Sequence, residues 1–472
     1  MKLLKNHWPL LILIPLFAFL IFFRINWLTL ANWDEAWYGG IARNIAKTGN
    51  FMKMDWNGKI YYHHPPLGFI LMAISMKIFG SNEFGVRFPS AILGVGAVIL
   101  TYFIGKKLFK SNLAGMASSL VLGTSVWYLI RTRSGDLDSI FIFFYLLTIL
   151  LSLKAKDNFK WFIPTMISFA CLMLSKTIVG ASAAILILFN NFKQIIDNKK
   201  SFFIAISGLA IFFLIVTPWY YVQLTNFEHF FEEHFLAVGM RKKTIASYFH
   251  IETYLPLFYL HMGIRKWYYL WLAALGLIIV TFRFIKKNFL LILIWNLIIL
   301  YPFLTTNETQ IWHLIPVYMP IALIIAGGSF WGKELFIKIT RLKKLDWLAN
   351  VLLVLFFLFI SAWQIKNFYK EVYPTSHFVP DDVDISKKAA KYNVPIYLDD
   401  NFTPVAVFYS GKQIHPLIDL PDPNKQIAPF FQNQTGDFVL ITRNYSLKEL
   451  DNRNIPYKLL EQNNFLSIIK KP

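Results

Sequence analysis

Eleven apolar runs, each near the ~20 residues needed to cross a bilayer as a helix, follow one another along this chain. They centre near residues 16, 97, 122, 146, 168, 183, 210, 274, 296, 322 and 355. Hydrophobic residues make up 56% of the 472 positions and charged residues 16%, against roughly half and a quarter in soluble domains. The expected fold is an α-helical polytopic membrane protein of about eleven spans with a small C-terminal α/β extracytoplasmic domain. A further apolar stretch, Leu67–Phe79, is too short for a full crossing and suits a helix that lies in the interface or re-enters. Lys2 and Lys5 precede an apolar run from Trp8 to Phe23 without a small-residue cleavage site, the pattern of an uncleaved signal anchor.

The net charge of +20 has an address. Lys2 and Lys5 share one side with Lys106, Lys107 and Lys110, with Lys154, Lys156 and Lys160, and with Lys193, Lys199 and Lys200. Arg283, Lys286 and Lys287 follow, then Lys333, Lys338, Arg341, Lys343 and Lys344. These nineteen charges nearly account for the excess. They all fall on one side if the chain crosses once between each cluster and the opposite loop, which is the positive-inside pattern and removes the need for a nucleic-acid partner. The N-terminus is then cytoplasmic and the C-terminus outside. Residues 24–87, 131–138, the neighbourhood of Lys176, residues 221–265 and the loop 305–312 share the outer face. The lone Cys171 sits in an apolar run and implies no disulfide framework.

After Trp363 the composition changes, giving two expected domains: 1–363 in the membrane, with its first outer loop at 24–87, and 364–472 outside it. Strands are expected at Val394–Leu398, Phe438–Thr442 and Phe465–Ile469, alternating with helices near 383–392, 402–410 and 446–451.

The outer face carries an acidic pair, Asp34 and Glu35, about ten residues beyond the first span in the aromatic setting Trp33-Asp34-Glu35-Ala36-Trp37-Tyr38. Two solvated loop acids would read the same way, but these keep company. Arg43 follows, His63-His64-Pro65-Pro66-Leu67 ends the loop, and Arg131, Arg133, Asp136 and Asp138 emerge on the same side. Arg131 and Arg133 have a structural alternative, pairing with Asp136 or Asp138. Lys176, between apolar runs on the outer side, either snorkels to the interface or holds an anion there. His63, His64 and His261 could ligate a metal, though no close His-x-x-x-His spacing supports it.

In order along the chain come the acidic pair, Gly49-Asn50-Phe51, and a tyrosine with a basic residue before Pro-Pro-Leu. Phe84-Gly85-Val86-Arg87-Phe88-Pro89-Ser90, Leu137-Asp138, Leu174-Ser175-Lys176, Trp267-Tyr268-Tyr269 and Ile315-Pro316-Val317-Tyr318-Met319-Pro320 follow. This ordered set, over roughly residues 1–330, resembles the GT-C membrane glycosyltransferases that use polyprenyl-phosphate sugars. That class includes bacterial relatives of the protein O-mannosyltransferases and the lipid A aminoarabinose transferase. The resemblance implies that Asp34, beside Glu35, is the catalytic carboxylate, that Asp138 is the second acidic position, and that Lys176 faces the lipid phosphate. The family's Lys-Pro-Pro lysine falls on His64, whose charge depends on pH. His261 falls near a family histidine, and Asn307-Glu308-Thr309-Gln310 stands where the family often has a lysine.

The chemistry suits these residue types. Polyprenyl phosphate is a good leaving group, so no general acid is needed, while the acceptor hydroxyl needs a carboxylate base. Phosphate charge must be held by cations in a water-poor site, for which Lys176, His64, Arg43 and Arg133 are candidates, with Asp138, His63 and His261 as substrate-positioning groups. The implied protein is an inverting transferase of the bacterial inner membrane with its C-terminal domain in the periplasm. Its partners are a polyprenyl-phosphate sugar donor, a lipid, glycan or protein acceptor, and membrane lipids. The sequence specifies no cofactor, and a divalent metal is left open. A transporter or flippase of lipid-linked sugars is the alternative, but it would place ionisable groups near the midplane with repeat symmetry. A binding or assembly subunit would leave the acidic pair unexplained.

Overall fold

The computed structural model describes residues 6–176, 178–240, 251, 253–284, 287–306 and 308–472. Lys2, Lys5, Lys286, Asn307 and the stretch 241–250 lie outside the described residues. Each expected apolar segment falls on helix. Among the described residues, seven helices are long and apolar enough to cross a membrane, or up to nine if each of two bent pairs counts as one span. The seven are Glu83–Phe109, Asp138–Ala155, Ile178–Asp197, Lys199–Asn226, Lys287–Leu304, Ile311–Thr340 and Lys343–Val372. Leu10–Phe22, Leu67–Phe79 and Phe159–Met173 are shorter apolar helices.

The chain divides into two compact units. The first comprises residues 1–24, 62–68 and 89–373, and holds most of the apolar helices. Hydrocarbon offers no partner for a peptide group, so every break in a helix must be repaired by protein. Two breaks here are repaired by one side chain. Asn112–Gly123 and Val126–Thr132 meet at 72°, and Leu255–Ile264 and Lys266–Val280 at 116°. At the first bend, Thr124 and Ser125 hydroxyls donate back to the carbonyls of Leu120 (2.6 Å) and Val121 (2.8 Å). The buried amide of Gln364, on the Asp346–Val372 helix, then donates to the Thr124 carbonyl at 2.7 Å. Its oxygen accepts the Lys266 N–H of the second bend at 3.0 Å. Trp267 Nε1 donates to Thr124 Oγ1 at 3.1 Å, tying the two bends together. The second bend turns on Arg265, whose φ of 52° is left-handed for a side-chain-bearing residue.

The second unit comprises residues 25–61, 69–88 and 374–472. Its sheet holds β3 (Ile396–Asp399), β4 (Ile414–Pro416), β5 (Val439–Arg443), β6 (Lys458–Gln462) and β7 (Leu466–Lys470) in the order β4-β3-β5-β7-β6. β3 runs parallel to β4 and β5, and β7 is antiparallel to β5 and β6. Helices Asp381–Ala389, Thr403–Ser410, Ile427–Asn433 and Leu447–Asn452 surround it. Phe430, Phe431, Phe438, Leu440, Leu450 and Ile469 form a buried cluster at its centre.

The loop residues 25–61 supply a helix, Asp34–Thr48, and a hairpin of β1 (Met54–Trp56) and β2 (Lys59–Tyr61). Asn57-Gly58, both at positive φ, make the hairpin turn, the pairing that a two-residue loop favours. Asn57 also finishes the sheet. Its amide donates to the Ile414 carbonyl at 2.7 Å and accepts the Ile414 N–H at 2.8 Å, occupying the open edge of β4. Gly39 and Gly40 cost helix propensity, and close approach explains them. A Cβ at Gly39 would lie 3.0 Å from the Phe408 ring, and one at Gly40 3.1 Å from Trp56.

Replacing Gln364 with Leu should orphan the Lys266 N–H and the Thr124 carbonyl, at roughly 1–3 kcal/mol for each group. Thermal unfolding of the purified variant in detergent checks this. An unshifted midpoint would mean that the bends do not depend on Gln364.

Candidate functional site

In the second unit the acidic pair opens the Asp34–Thr48 helix, where the helix dipole favours negative charge. Glu35 is buried and bound on every side. Its Oε2 accepts the Ala31 N–H at 2.8 Å, and Arg87 forks onto it, Nε to Oε1 at 2.5 Å and Nη2 to Oε2 at 2.8 Å. Arg87 Nη1 donates to the carbonyls of Ile25 (2.8 Å) and Leu28 (2.7 Å), and Nη2 also to that of Thr29 (2.9 Å). All five guanidinium N–H donors are therefore used. One arginine binds the incoming chain segment 25–29, the helix start and the second acid into one piece.

Asp34 precedes Glu35 by one residue and is partly exposed. Trp33 before it holds φ 71°, a left-handed conformation that turns the chain sharply into the helix. Burial, together with the nearby Asp34 charge, holds the Tyr61 phenol well above its usual range. Trp37 lies 5.3 Å from Trp56 and 5.6 Å from Tyr61, ring to ring, so the acid stands beside an aromatic cluster. Arg43, expected to hold phosphate, is committed elsewhere: Nη1 donates to the Phe408 carbonyl at 2.5 Å and Nη2 to that of Val407 at 3.0 Å. It caps the last turn of the Thr403–Ser410 helix.

In the first unit a second constellation forms. Arg131 Nη2 lies 2.9 Å from Asp136 Oδ1, and its Nε donates to Asp138 Oδ2 at 2.8 Å. Lys176 pairs with the other Asp138 oxygen. Asp136 and Asp138 are 1% and 2% exposed, so two buried carboxylates hold two partly exposed cations. Asp138 sits in the first turn of its helix, where the dipole adds to its anionic character. The His63–Leu67 segment adjoins this group, because the Leu67 N–H donates to the Leu174 carbonyl at 3.0 Å. Within it His64 is buried, and His63 Nε2 lies 3.4 Å from Glu233 Oε2. His234 Nδ1 is 2.9 Å from the His63 carbonyl, so that nitrogen donates, and burial lowers this imidazole to about 4.

The structure thus brings Lys176, Asp138 and the His63–His64 segment together and adds Arg131. Arg133, the expected phosphate ligand, instead donates to the carbonyls of Leu20 (3.0 Å) and Ile21 (2.8 Å), with its guanidinium 4.6 Å from the Tyr373 ring centre. The two arginines leave a helix end two residues apart, and only the turn geometry sorts them. His261 Nε2 lies 3.0 Å from the Tyr269 hydroxyl, in a cavity with Arg265, Lys266 and Glu371. Among the described residues no hydrogen bond or ion pair joins it to the Lys176 group. Nor do three or more His, Cys, Asp or Glu converge as a metal shell would, among the described residues. The importance of Arg87 was missed from sequence, although a lone arginine just inside an apolar run signals a buried pair.

A family profile described as dolichyl-phosphate-mannose-protein mannosyltransferase matches residues 63–221. An uncharacterised protein of Aquifex aeolicus is 32% identical over 142 residues, 30% of this chain and 28% of that protein, so the match spans less than a third of its length. The undecaprenyl phosphate-alpha-4-amino-4-deoxy-L-arabinose arabinosyl transferase of Shewanella sediminis is 24% identical over 77% of this chain and 67% of its own. Among solved structures, ArnT from Cupriavidus metallidurans bound to undecaprenyl phosphate gives a TM-score of 0.73 at 14% identity, covering 98% of both chains. The chain has the fold seen in that ArnT structure, a GT-C-like arrangement of membrane helices with a small C-terminal sheet-containing domain.

Removing Arg87 alone, as Arg87→Met, leaves Glu35 charged and buried without its partner, at a cost of about 3–5 kcal/mol. Adding Glu35→Leu should recover much of it. Unfolding midpoints for wild type, both singles and the double give the coupling, and strict additivity would remove the pair from the account.

Proposed function

We propose that the protein is an inverting glycosyltransferase that moves a monosaccharide from a polyprenyl-phosphate donor to a hydroxyl of a lipid, glycan or protein acceptor. The reaction takes place on the periplasmic face of a bacterial inner membrane, crossed eleven times from a cytoplasmic N-terminus. Residues 1–363 form the transferase portion, with the acidic pair on the outer loop 24–87, and 364–472 form a periplasmic domain. The observation that carries this reading is the network of Lys176, Asp138 and Arg131 beside the His63–Leu67 segment. Related proteins supply the donor class: one solved neighbour is bound to undecaprenyl phosphate, and a relative is named as an undecaprenyl-phosphate-sugar transferase.

Asp34 takes the proton of the acceptor hydroxyl as its oxygen attacks the anomeric carbon. The bond from that carbon to the phosphate oxygen breaks on the opposite face, polyprenyl phosphate departs with the electron pair, and the configuration inverts. Glu35, locked to Arg87, fixes the helix start that presents Asp34. An ammonium has three N–H donors, and among the described residues Asp138 takes one from Lys176, leaving two for phosphate oxygens. His64 adds a donor in the same segment. Asp138 and His63 hold the cations and the loop in place, and Arg43 and Arg133 serve the fold. The transporter alternative gains nothing from the bent helices, because Gln364 and Thr124 already satisfy their backbone groups.

Purified protein in nanodiscs, supplied with radiolabelled polyprenyl-phosphate sugars and acceptor-rich membrane extract, should consume one donor and release polyprenyl phosphate. Asp34→Asn should lower turnover by roughly 10²–10⁴ while retaining donor binding. Unchanged turnover would remove Asp34 from the mechanism. Lys176→Ala should weaken donor binding by about 10- to 100-fold, the value of a charge-assisted hydrogen bond. Undiminished affinity would return Lys176 to a purely structural role.

A further inference from the structure

The sheet of the second unit has a crevice with no part in the proposed transfer. The chain leaves β3 for β4 on one side and returns to β5 on the other, which makes the carboxyl end of β3 a topological switch point. In open α/β sheets, ligands bind outside the strands at such points, because the diverging connections cannot close the gap. A cavity of about 230 Å³ opens there. Its polar lining is Asp399, Asp400, Asn401, Lys425, Arg443 and Ser446, with Tyr445 at the edge.

The chemistry of that lining selects a ligand. Two carboxylates face two cations, so the crevice carries no net charge. Arg443 is already engaged: Nε and Nη2 fork onto Asp400, each at 2.6 Å, and Nη1 donates to the Tyr445 hydroxyl at 2.6 Å. Thr442 holds Asp399 at 2.7 Å. A phosphate or nucleotide would meet two carboxylates and a neutralised guanidinium, so anions are disfavoured. Planar acceptors and donors remain beside exposed rings. The Asn401 side-chain amide bonds nothing among the described residues, and Tyr445 is 63% exposed. A second cavity of about 470 Å³ shares Asp400, Arg443 and Tyr445 and adds Phe378 and Phe465, 62% and 70% exposed. Fixed acceptors and donors next to bare aromatic faces match a sugar, whose hydroxyls both donate and accept and whose ring has an apolar C–H face.

We propose that this crevice is a binding site for a neutral oligosaccharide, one residue seated among Asp399, Asn401 and Lys425 and the next crossing Tyr445 toward Phe465. The site is separate from Asp34 and Lys176, and the inference does not rest on the transfer reading. It gives the protein a hold on glycan apart from its chemistry.

The test uses full-length protein in nanodiscs of plain phospholipid, titrated with maltose, cellobiose, mannobiose and chitobiose, and with inorganic phosphate and AMP in parallel. Saturation-transfer NMR and calorimetry read the binding. At least one disaccharide should bind, and Asn401→Ala and Tyr445→Ala, both at exposed positions, should each weaken it by roughly tenfold, as loss of a central contact does. Asp34→Asn should bind like wild type, so failure of the transfer mechanism would leave this result standing. The proposal falls if no disaccharide binds at tens of millimolar, if neither crevice variant alters binding, or if phosphate or AMP competes for the same site.

Discussion

A polar group inside a bilayer has no water to fall back on, and this constraint organises the rest of the molecule. The two sharp bends in the apolar helices are matched by side chains that absorb them. Gln364 serves two bends at once, Arg133 collects the carbonyls at the end of the Leu10–Phe22 helix, and Arg131 binds two acids in a single turn. Polar residues within helical stretches answer to the same rule by bonding a carbonyl or a neighbouring helix, as Ser119 does to Val98 and Thr148 to Ser168.

The same rule explains why the acidic pair splits into unlike halves. Glu35 is buried, so it must be charge-paired, and Arg87 supplies two donors beside the Ala31 N–H while gathering three carbonyls. That fixes the helix start to within a hydrogen bond and leaves its neighbour, Asp34, partly exposed at the rim. A base is useful only if its position is fixed by groups other than the substrate. In the other unit Asp138 has the corresponding task for cations, orienting Lys176 and Arg131 from a buried position.

Much of this was legible in the sequence because hydrophobic length is a strong signal. The apolar runs and the strands near 394–398, 438–442 and 465–469 all correspond to observed elements, whereas Trp363, where the composition changes, lies inside the Asp346–Val372 helix. Bends were invisible: Thr124 and Ser125 are too mild to interrupt a hydropathy profile. β4 is three residues ending at Pro416, and β6 is an edge strand with little burial, so neither shows apolar alternation. The Asn57-Gly58 turn was readable and was passed over, although its second role on the edge of β4 was not. The sequence reading made Arg133 a phosphate candidate and offered pairing with Asp136 or Asp138 as the alternative for both Arg131 and Arg133. Nothing in local composition separates two arginines two residues apart, and the tertiary partners decide.

The chain passes between its two compact units after Arg24, Tyr61, Gly68, Phe88 and Tyr373. Arg43 grips the Thr403–Ser410 helix across 365 residues of sequence, and Asn57 completes a strand made 357 residues later. Such non-local pairings form late, because a long loop must close before any contact rewards it. During synthesis the helix bearing the acids emerges early yet waits for the last quarter of the chain before Gly39 meets Phe408. Recombination between relatives meets the same barrier. A single crossover that exchanged only the C-terminal residues would split the second compact unit, setting Gly39 and Arg43 against a helix they were not fitted to, so this unit is not a module that one crossover exchanges intact.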